Sequence, residues 1–316
     1  MVNKTAFLFP GQGAQYPGMG KDLHEASPAV RELFSLASET AGKDMSKILF
    51  EGSADDLKST DNTQIGITLV SLSVLSVLRE RGITSSVCAG FSLGEFAAYT
   101  DAGIIDPGDI FRVVLERGRI MQKACSELSS TVGECGMAAV LGLPPETVAD
   151  TLSRSGIKNV YAANWNSPVQ VVISGTKEAI TAAEPVLKQA GAKRIIALQV
   201  AGPFHSPLMQ KAADDFGGFL SGIDFHDPVK PCYSNVTGNV VTSGAEVKRN
   251  ALLHITNPVL WTTIEKNLSA EAPQLCLETG PGKVLSGLWD KGETASIPCK
   301  PAGTLEEINT IANNGL

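Results

Sequence analysis

The stretch SVCAGFSLGEFAAYTD, residues 86–101, decides how this chain is to be read. Ser86 to Ala89 is a short apolar run of strand type. Gly90 to Gly94 is a glycine-bounded turn, and Leu93 to Asp101 has a helical pattern that stops at Gly103. A strand, a GxSxG turn and a helix in that order form a nucleophile elbow. Such a turn lifts the Ser92 hydroxyl to the sheet edge, with the free N–H groups of a helix start behind it. The other reading is a tight strand-to-helix turn with a capping serine. The five letters alone leave both open.

Outward from the elbow the chain alternates strands and helices. Thr5 to Phe9 reads as a buried strand that opens into the loop PGQGAQYPGMG at 10–20. That loop contains neither GxxxxGK[ST] nor GxGxxG, so it is not a nucleotide loop. Residues 28–82 read mainly as helices, the longest over Thr63 to Arg81, and another helix runs from Asp109 to Glu127. Between 136 and 200 the expected order is strand, helix, strand, strand, helix, strand: Met137–Gly142, Pro144–Ser155, Val160–Asn164, Gln170–Ser174, Lys177–Gln189 and Lys193–Val200. That is the ferredoxin-like order. Beyond it come a strand at Leu275–Glu278, a turn at Gly280–Gly282 and a helix at Lys283–Lys291. The fold class is therefore α/β. A large α/β-hydrolase-like domain with a mostly parallel sheet is built from 1–135 and 201–316, and a small ferredoxin-like (βαββαβ) subdomain, 136–200, is inserted in it.

Composition narrows the function. In 316 residues, 26 Lys and Arg stand against 33 Asp and Glu, a net charge of −7, which excludes the basic excess of a nucleic-acid binder. Apolar residues make up 43% and charged residues 19%, so a core forms and disorder is not expected. The six cysteines show no CxxC or zinc spacing, which indicates reduced thiols and a cytoplasmic protein. No apolar run reaches membrane-span length, and the start MVNKTAFLFPGQG is too short in apolar residues for a signal peptide.

A serine nucleophile needs a base. The four histidines are His24, His205, His226 and His254. His205 lies in AGPFHSP, directly after the strand IIALQV, where α/β sheets carry functional groups. No acid between Ser92 and His205 ends a strand cleanly, so the residues leave open either an acid the pattern does not mark or a backbone carbonyl as the partner of the imidazole. On the helix FRVVLERGRIMQKAC, Arg117 is the one charge on the apolar stripe of Val113, Ile120, Met121 and Ala124. It pairs either with an internal carboxylate or with a substrate carboxylate held through two N–H groups. Pro10–Gly13 could supply an N–H beside that of Leu93 as an oxyanion hole, or be a plain turn. Glu95 reads as an acid favourable to the helix start.

Six segments occur in a recognisable order: FPGQGAQYPGMG at 9–20, GFSLGE at 90–95, ERGRIMQ at 116–122, GPFHSPLM at 202–209, NPVLW at 257–261 and ETGPGKVLSGL at 278–288. Together, over nearly the whole chain, they resemble malonyl-CoA:acyl carrier protein transacylases, and also the acyltransferase domains of polyketide synthases. The resemblance implies an acyltransferase of fatty acid biosynthesis that takes malonyl-CoA, uses acyl carrier protein as partner and works as a monomer without a metal or other cofactor. Ser92 is then the acylated nucleophile and His205 its base. Arg117 binds the malonyl carboxylate, and the N–H groups of Gln12 and Leu93 form the oxyanion hole. Gln64, Asn166 and Met121 line or support the site, and Phe204 crowds an α-methyl substituent. The backbone carbonyl of His254 orients His205. Two positions depart from the family pattern: Phe91 stands where a His is usual, and His254 where a Gln is usual. The rivals are a carrier pathway other than fatty acid synthesis, a serine esterase or patatin-like lipase, and a carrier-docking protein with a vestigial site.

Overall fold

A computed structural model describes residues 4–292 and 296–313, so residues 1–3 of the expected 1–135 segment and 293–295 and 314–316 of 201–316 lie outside it. Two sheets organise the chain. The larger has the order β7-β2-β1-β8-β9. Its strands are β1 (Thr5–Phe9), β2 (Val87–Gly90), β7 (Cys232–Tyr233), β8 (Leu275–Glu278) and β9 (Cys299–Pro301). Every pairing among them is parallel. Their carboxyl ends therefore lie on one edge, and the loops that follow β1, β2, β7 and β8 meet there.

Strands β1 and β2 are fully buried, which suits a parallel sheet covered on both faces. The 21-residue helix Thr60–Glu80 runs through the main core beside Pro107–Thr131. By length and composition that helix could cross a membrane, contrary to the sequence expectation, yet 83% of its apolar window is buried inside the protein. Its start, three residues before the expected Thr63, is masked in the sequence by the polar Thr60-Asp61-Asn62.

The smaller sheet, with the order β4-β5-β3-β6, is antiparallel throughout. It comprises β3 (Cys135–Leu141), β4 (Val160–Ser167), β5 (Gln170–Thr176) and β6 (Arg194–Leu198). Side chains alternate across it, as a period of two requires. Ala138, Val140, Val171 and Ile173 pack with the helices Pro145–Ser155 and Lys177–Gln189. Met137, Ala139 and Val172 face the other way, into the main core. This is the ferredoxin-like arrangement. Strand β4 runs to Ser167, past the expected Asn164, because it carries a bulge there. Trp165 N donates to Val259 O, and Val259 N to Ala163 O, both at 2.9 Å, which ties β4 to the rest of the chain.

The elbow itself explains its glycines. A Cβ on Gly90 would lie 2.1 Å from the backbone of Gly94, and one on Gly94 would lie 2.0 Å from Phe9 O. Only hydrogen fits at either position. Gly90→Ala is expected to cost about 1–3 kcal/mol, as overpacking does, and to lower Tm in thermal unfolding. Gly108→Ala, where nothing lies within 4 Å, serves as the control with Tm unchanged or raised.

Candidate active site

Ser92 follows β2 with φ 50°, and His205 has φ 57°; both are non-glycine residues in the left-handed region. Each costs backbone free energy that the surrounding structure must over-determine. For Ser92 the restraints are explicit. Its N–H donates to Asn235 Oδ1 at 2.7 Å, while Asn235 Nδ2 donates to Gly90 O at 2.6 Å. Phe91 N–H donates to Phe9 O at 2.9 Å, so the end of β1 also holds the turn.

The two strained residues face each other. Ser92 Oγ lies 2.8 Å from His205 Nε2, and His205 Nδ1 lies 2.8 Å from His254 O. A carbonyl only accepts, so Nδ1 carries the proton and Nε2 is left as the acceptor for the serine proton. The expected carbonyl partner is therefore the one found, and among the described residues no carboxylate contacts the His205 ring. Burial pushes His205 down to about 4, and the Arg117 charge adds to that shift, partly opposed by the backbone hydrogen bonds. The imidazole is neutral at neutral pH and ready to accept.

Arg117 is 1% exposed on Pro107–Thr131. Its Nη1 donates to Gln64 Oε1 at 2.9 Å, and its guanidinium lies 5.3 Å from the centre of the Phe96 ring. Nε and Nη2 have no partner. Among the described residues no carboxylate lies within ion-pair distance of Arg117, so the internal ion pair allowed by the sequence is not formed. The two free donors share one edge of the guanidinium, which matches a carboxylate held by two parallel N–H groups. Burial lowers Arg117 to about 10, which leaves it cationic at neutral pH.

A cavity of about 190 Å³ joins these groups. Ser92, His205 and Arg117 line it, and so do Gln12, Leu93, Met121, Asn166 and Phe204. Gln64 and His254 stand behind the wall, holding Arg117 and His205 respectively. Neither Gln12 N–H nor Leu93 N–H donates to a protein acceptor among the described residues. Asn166 Oδ1 is also unpartnered. The small sheet supplies Met137, Val172 and Leu198, so the cavity lies between the two sheets. Phe91, where a polar neighbour was expected by the family pattern, packs edge-on to Trp261 with centroids 5.5 Å apart. A larger cleft of about 480 Å³, around Pro144 and Lys266, holds no nucleophile and base together.

Other candidates are accounted for. His24 packs against Phe34 and Phe50. Asp101, whose DAG string could suggest a lipase, is held by Arg79 at 2.9 Å, by Lys230 at 3.2 Å and by Ser85. Among the described residues no cluster of three His, Cys, Asp or Glu is arranged for a metal. Two residues of the site carry little or no sequence signal. Asn235 follows β7, a strand of two residues too short to leave a pattern. Glu95, read as a helix-start acid, is 0% exposed, accepts Asn235 N–H at 2.9 Å, and lies 3.3 Å from His254 Nδ1. Burial raises it to about 8 despite the opposing pull of Asn235 N–H and Arg117.

Comparison with known proteins adds to this geometry. Residues 6–297 match the family described as the acyl transferase domain. The chain is 41% identical over 293 residues to a Bacillus subtilis protein named malonyl CoA-acyl carrier protein transacylase, covering 92% of this chain and 90% of that one. It is 38% identical over 289 residues to the Escherichia coli K12 protein of the same name, covering 91% and 92%. Among solved structures, a type II polyketide synthase acyl-carrier protein in complex with its malonyl-transacylase matches with TM-score 0.92 and 34% identity, over 99% of this chain and 100% of that one. An acyl carrier protein S-malonyltransferase from Vibrio cholerae matches with TM-score 0.92 and 34% identity, over 97% and 99%.

The lowered imidazole predicts a pH profile. The acid limb of kcat/KM for acylation should fall with a midpoint near 4 rather than near 6.5, since kcat/KM reports the free enzyme. His205 also binds its proton less readily folded than unfolded, so stability drops as pH falls from about 6.5 towards 4. A limb centred on the ordinary histidine value, measured by stopped-flow across pH 3.5–8, would contradict the assignment of His205.

Proposed function

Because the chain belongs to the acyl transferase domain family, we propose that it moves a malonyl group through an ester on Ser92, from malonyl-CoA to the phosphopantetheine thiol of acyl carrier protein. The chain is an acyltransferase that transfers malonyl to acyl carrier protein, and the geometry above supports the residue roles that follow. The observation that carries the reading is the Ser92–His205 pair at 2.8 Å beside a buried guanidinium with two free N–H groups.

In the first half-reaction, His205 Nε2 takes the Ser92 proton as Oγ attacks the thioester carbonyl. The Gln12 and Leu93 N–H groups receive the oxyanion, worth roughly 3–4 kcal/mol per donor. The tetrahedral intermediate collapses and the CoA thiolate leaves, taking the proton from His205. In the second half-reaction, His205 accepts the proton of the carrier thiol, which attacks the Ser92 ester, and the same proton returns to Ser92 Oγ. Arg117 pairs with the free malonyl carboxylate through Nε and Nη2. An acetyl group offers no such partner and leaves the charge unmatched, so malonyl is selected. The Phe204 ring, 5% exposed, crowds a methyl branch on the acyl chain. Asn166 lines the cavity and offers its unpartnered Oδ1 as an acceptor to the substrate. Met121, against Gln64 Nε2 at 3.6 Å, supports the Gln64–Arg117 contact. The scheme needs no metal or redox group. It includes a cytoplasmic monomer with no nucleic-acid or membrane partner, built as a large domain of 1–135 and 201–316 with the ferredoxin-like subdomain 136–200 inserted in it.

A second reading concerns the carrier alone. The match to a polyketide malonyl-transacylase makes a polyketide carrier the alternative to a fatty acid one. Incubation with each carrier protein, read by intact mass, separates the two.

Intact-protein mass spectrometry after exposure to malonyl-, methylmalonyl- and acetyl-CoA tests the scheme. Ser92→Ala should gain no acyl mass, and an acylated mutant would refute the nucleophile. Arg117→Ala should lose malonyl kcat/KM by on the order of 100-fold or more, as truncation of a buried charge pair does, while its rate with acetyl-CoA holds or rises. Equal losses with both thioesters would refute the selectivity role.

A further inference from the structure

Glu95 takes no step in the transfer just described, yet it sits buried between the two loops that perform it. Its Oε1 accepts Asn235 N–H at 2.9 Å. Asn235 in turn grips both sides of the nucleophile, accepting Ser92 N–H at 2.7 Å and donating to Gly90 O at 2.6 Å. Its Oε2 lies 3.3 Å from His254 Nδ1, a close polar contact without hydrogen-bond geometry, and neither atom makes a hydrogen bond among the described residues. His254 holds the base twice: its carbonyl lies 2.8 Å from His205 Nδ1, and its ring centre lies 4.9 Å from that of His205.

We propose that Glu95 is a positioning residue whose two oxygens, one on Asn235 and one on His254, fix the nucleophile loop and the base loop at a common spacing. The inference rests on the Ser92–His205 reading. Ser92 and His205 come from loops 113 residues apart in sequence, and each is held in a costly backbone conformation. Side chains bridging such loops set the reacting distance, and a misplacement of about 1 Å costs on the order of 100-fold in rate. Arg117, His205 and His254 face the same cluster from other elements, and Tyr99 from the same helix. Burial favours the neutral carboxyl and the neutral His254 ring. A glutamine is then the nearest mimic: its carbonyl accepts Asn235 N–H, and its amide N–H points at His254 Nδ1. Leucine removes both contacts. Aspartate, one methylene shorter, reaches only one of the two.

The test measures both the rate constant and the amplitude of malonyl-Ser92 formation, by rapid quench and intact mass. The proteins are the wild type and the variants Glu95→Leu, Glu95→Asp, Glu95→Gln and Ser92→Ala. The expected result is full amplitude with rate constants lower by about 100-fold for Leu and about 10-fold for Asp, and within about threefold of wild type for Gln. A purely structural glutamate would lower amplitude and leave the rate constant alone. Wild-type rate constants in Leu and Asp, or a Gln variant as slow as Leu, overturn the proposal. Where Glu95→Leu does not fold, Glu95→Asp and Glu95→Gln decide it by the same criteria. Malonyl mass on Ser92→Ala would instead overturn the reading of the site, so the two failures are distinguishable.

Discussion

A guanidinium enclosed in protein, with two of its three nitrogens unmatched, is a standing cost of several kcal/mol. Arg117 carries that cost, and the rest of the site is arranged around it. Gln64 satisfies one nitrogen from the long core helix, and the Phe96 face lies beside the charge. The field of Arg117 reaches further. It lowers His205, pulls against the burial that raises Glu95, and lowers His254. In the proposed scheme a charge left open in this way selects the acyl group, and it adds to the burial that keeps the base neutral.

The scaffold that holds this charge has two parts. The parallel sheet brings the ends of β1, β2, β7 and β8 to one edge, so Gln12, Ser92 and Asn235 meet although they are far apart in sequence. The antiparallel sheet closes the opposite side with Met137, Val172 and Leu198. The alternation that sends one face of that sheet to its helices leaves the other for the cavity wall.

Much of this was legible in the sequence because it rests on local pattern. GFSLG between a strand and a helix required glycines at 90 and 94, and the structure leaves no room for a Cβ at either. The lone charge on an apolar helical stripe marked Arg117. The βαββαβ order marked the small sheet. What escaped was non-local or too short to carry a period. Strands β7 and β9 have two and three residues, so Asn235 stood in no recognisable context. Glu95 looked like an ordinary first-turn acid because its partners, Asn235 and His254, come from 140 or more residues away. The choice between an internal and a substrate partner for Arg117 depends on no carboxylate lying within ion-pair distance among the described residues, which only three dimensions reveal.

The influence of Arg117 on His205 has one more result. In the proposed scheme a malonyl group, whether on CoA or on Ser92, sets its carboxylate against the guanidinium and offsets that field at the imidazole. His205 is then more basic in both half-reactions than in the empty site. The cargo thus tunes the base that moves it, and an uncharged acyl group forgoes that gain.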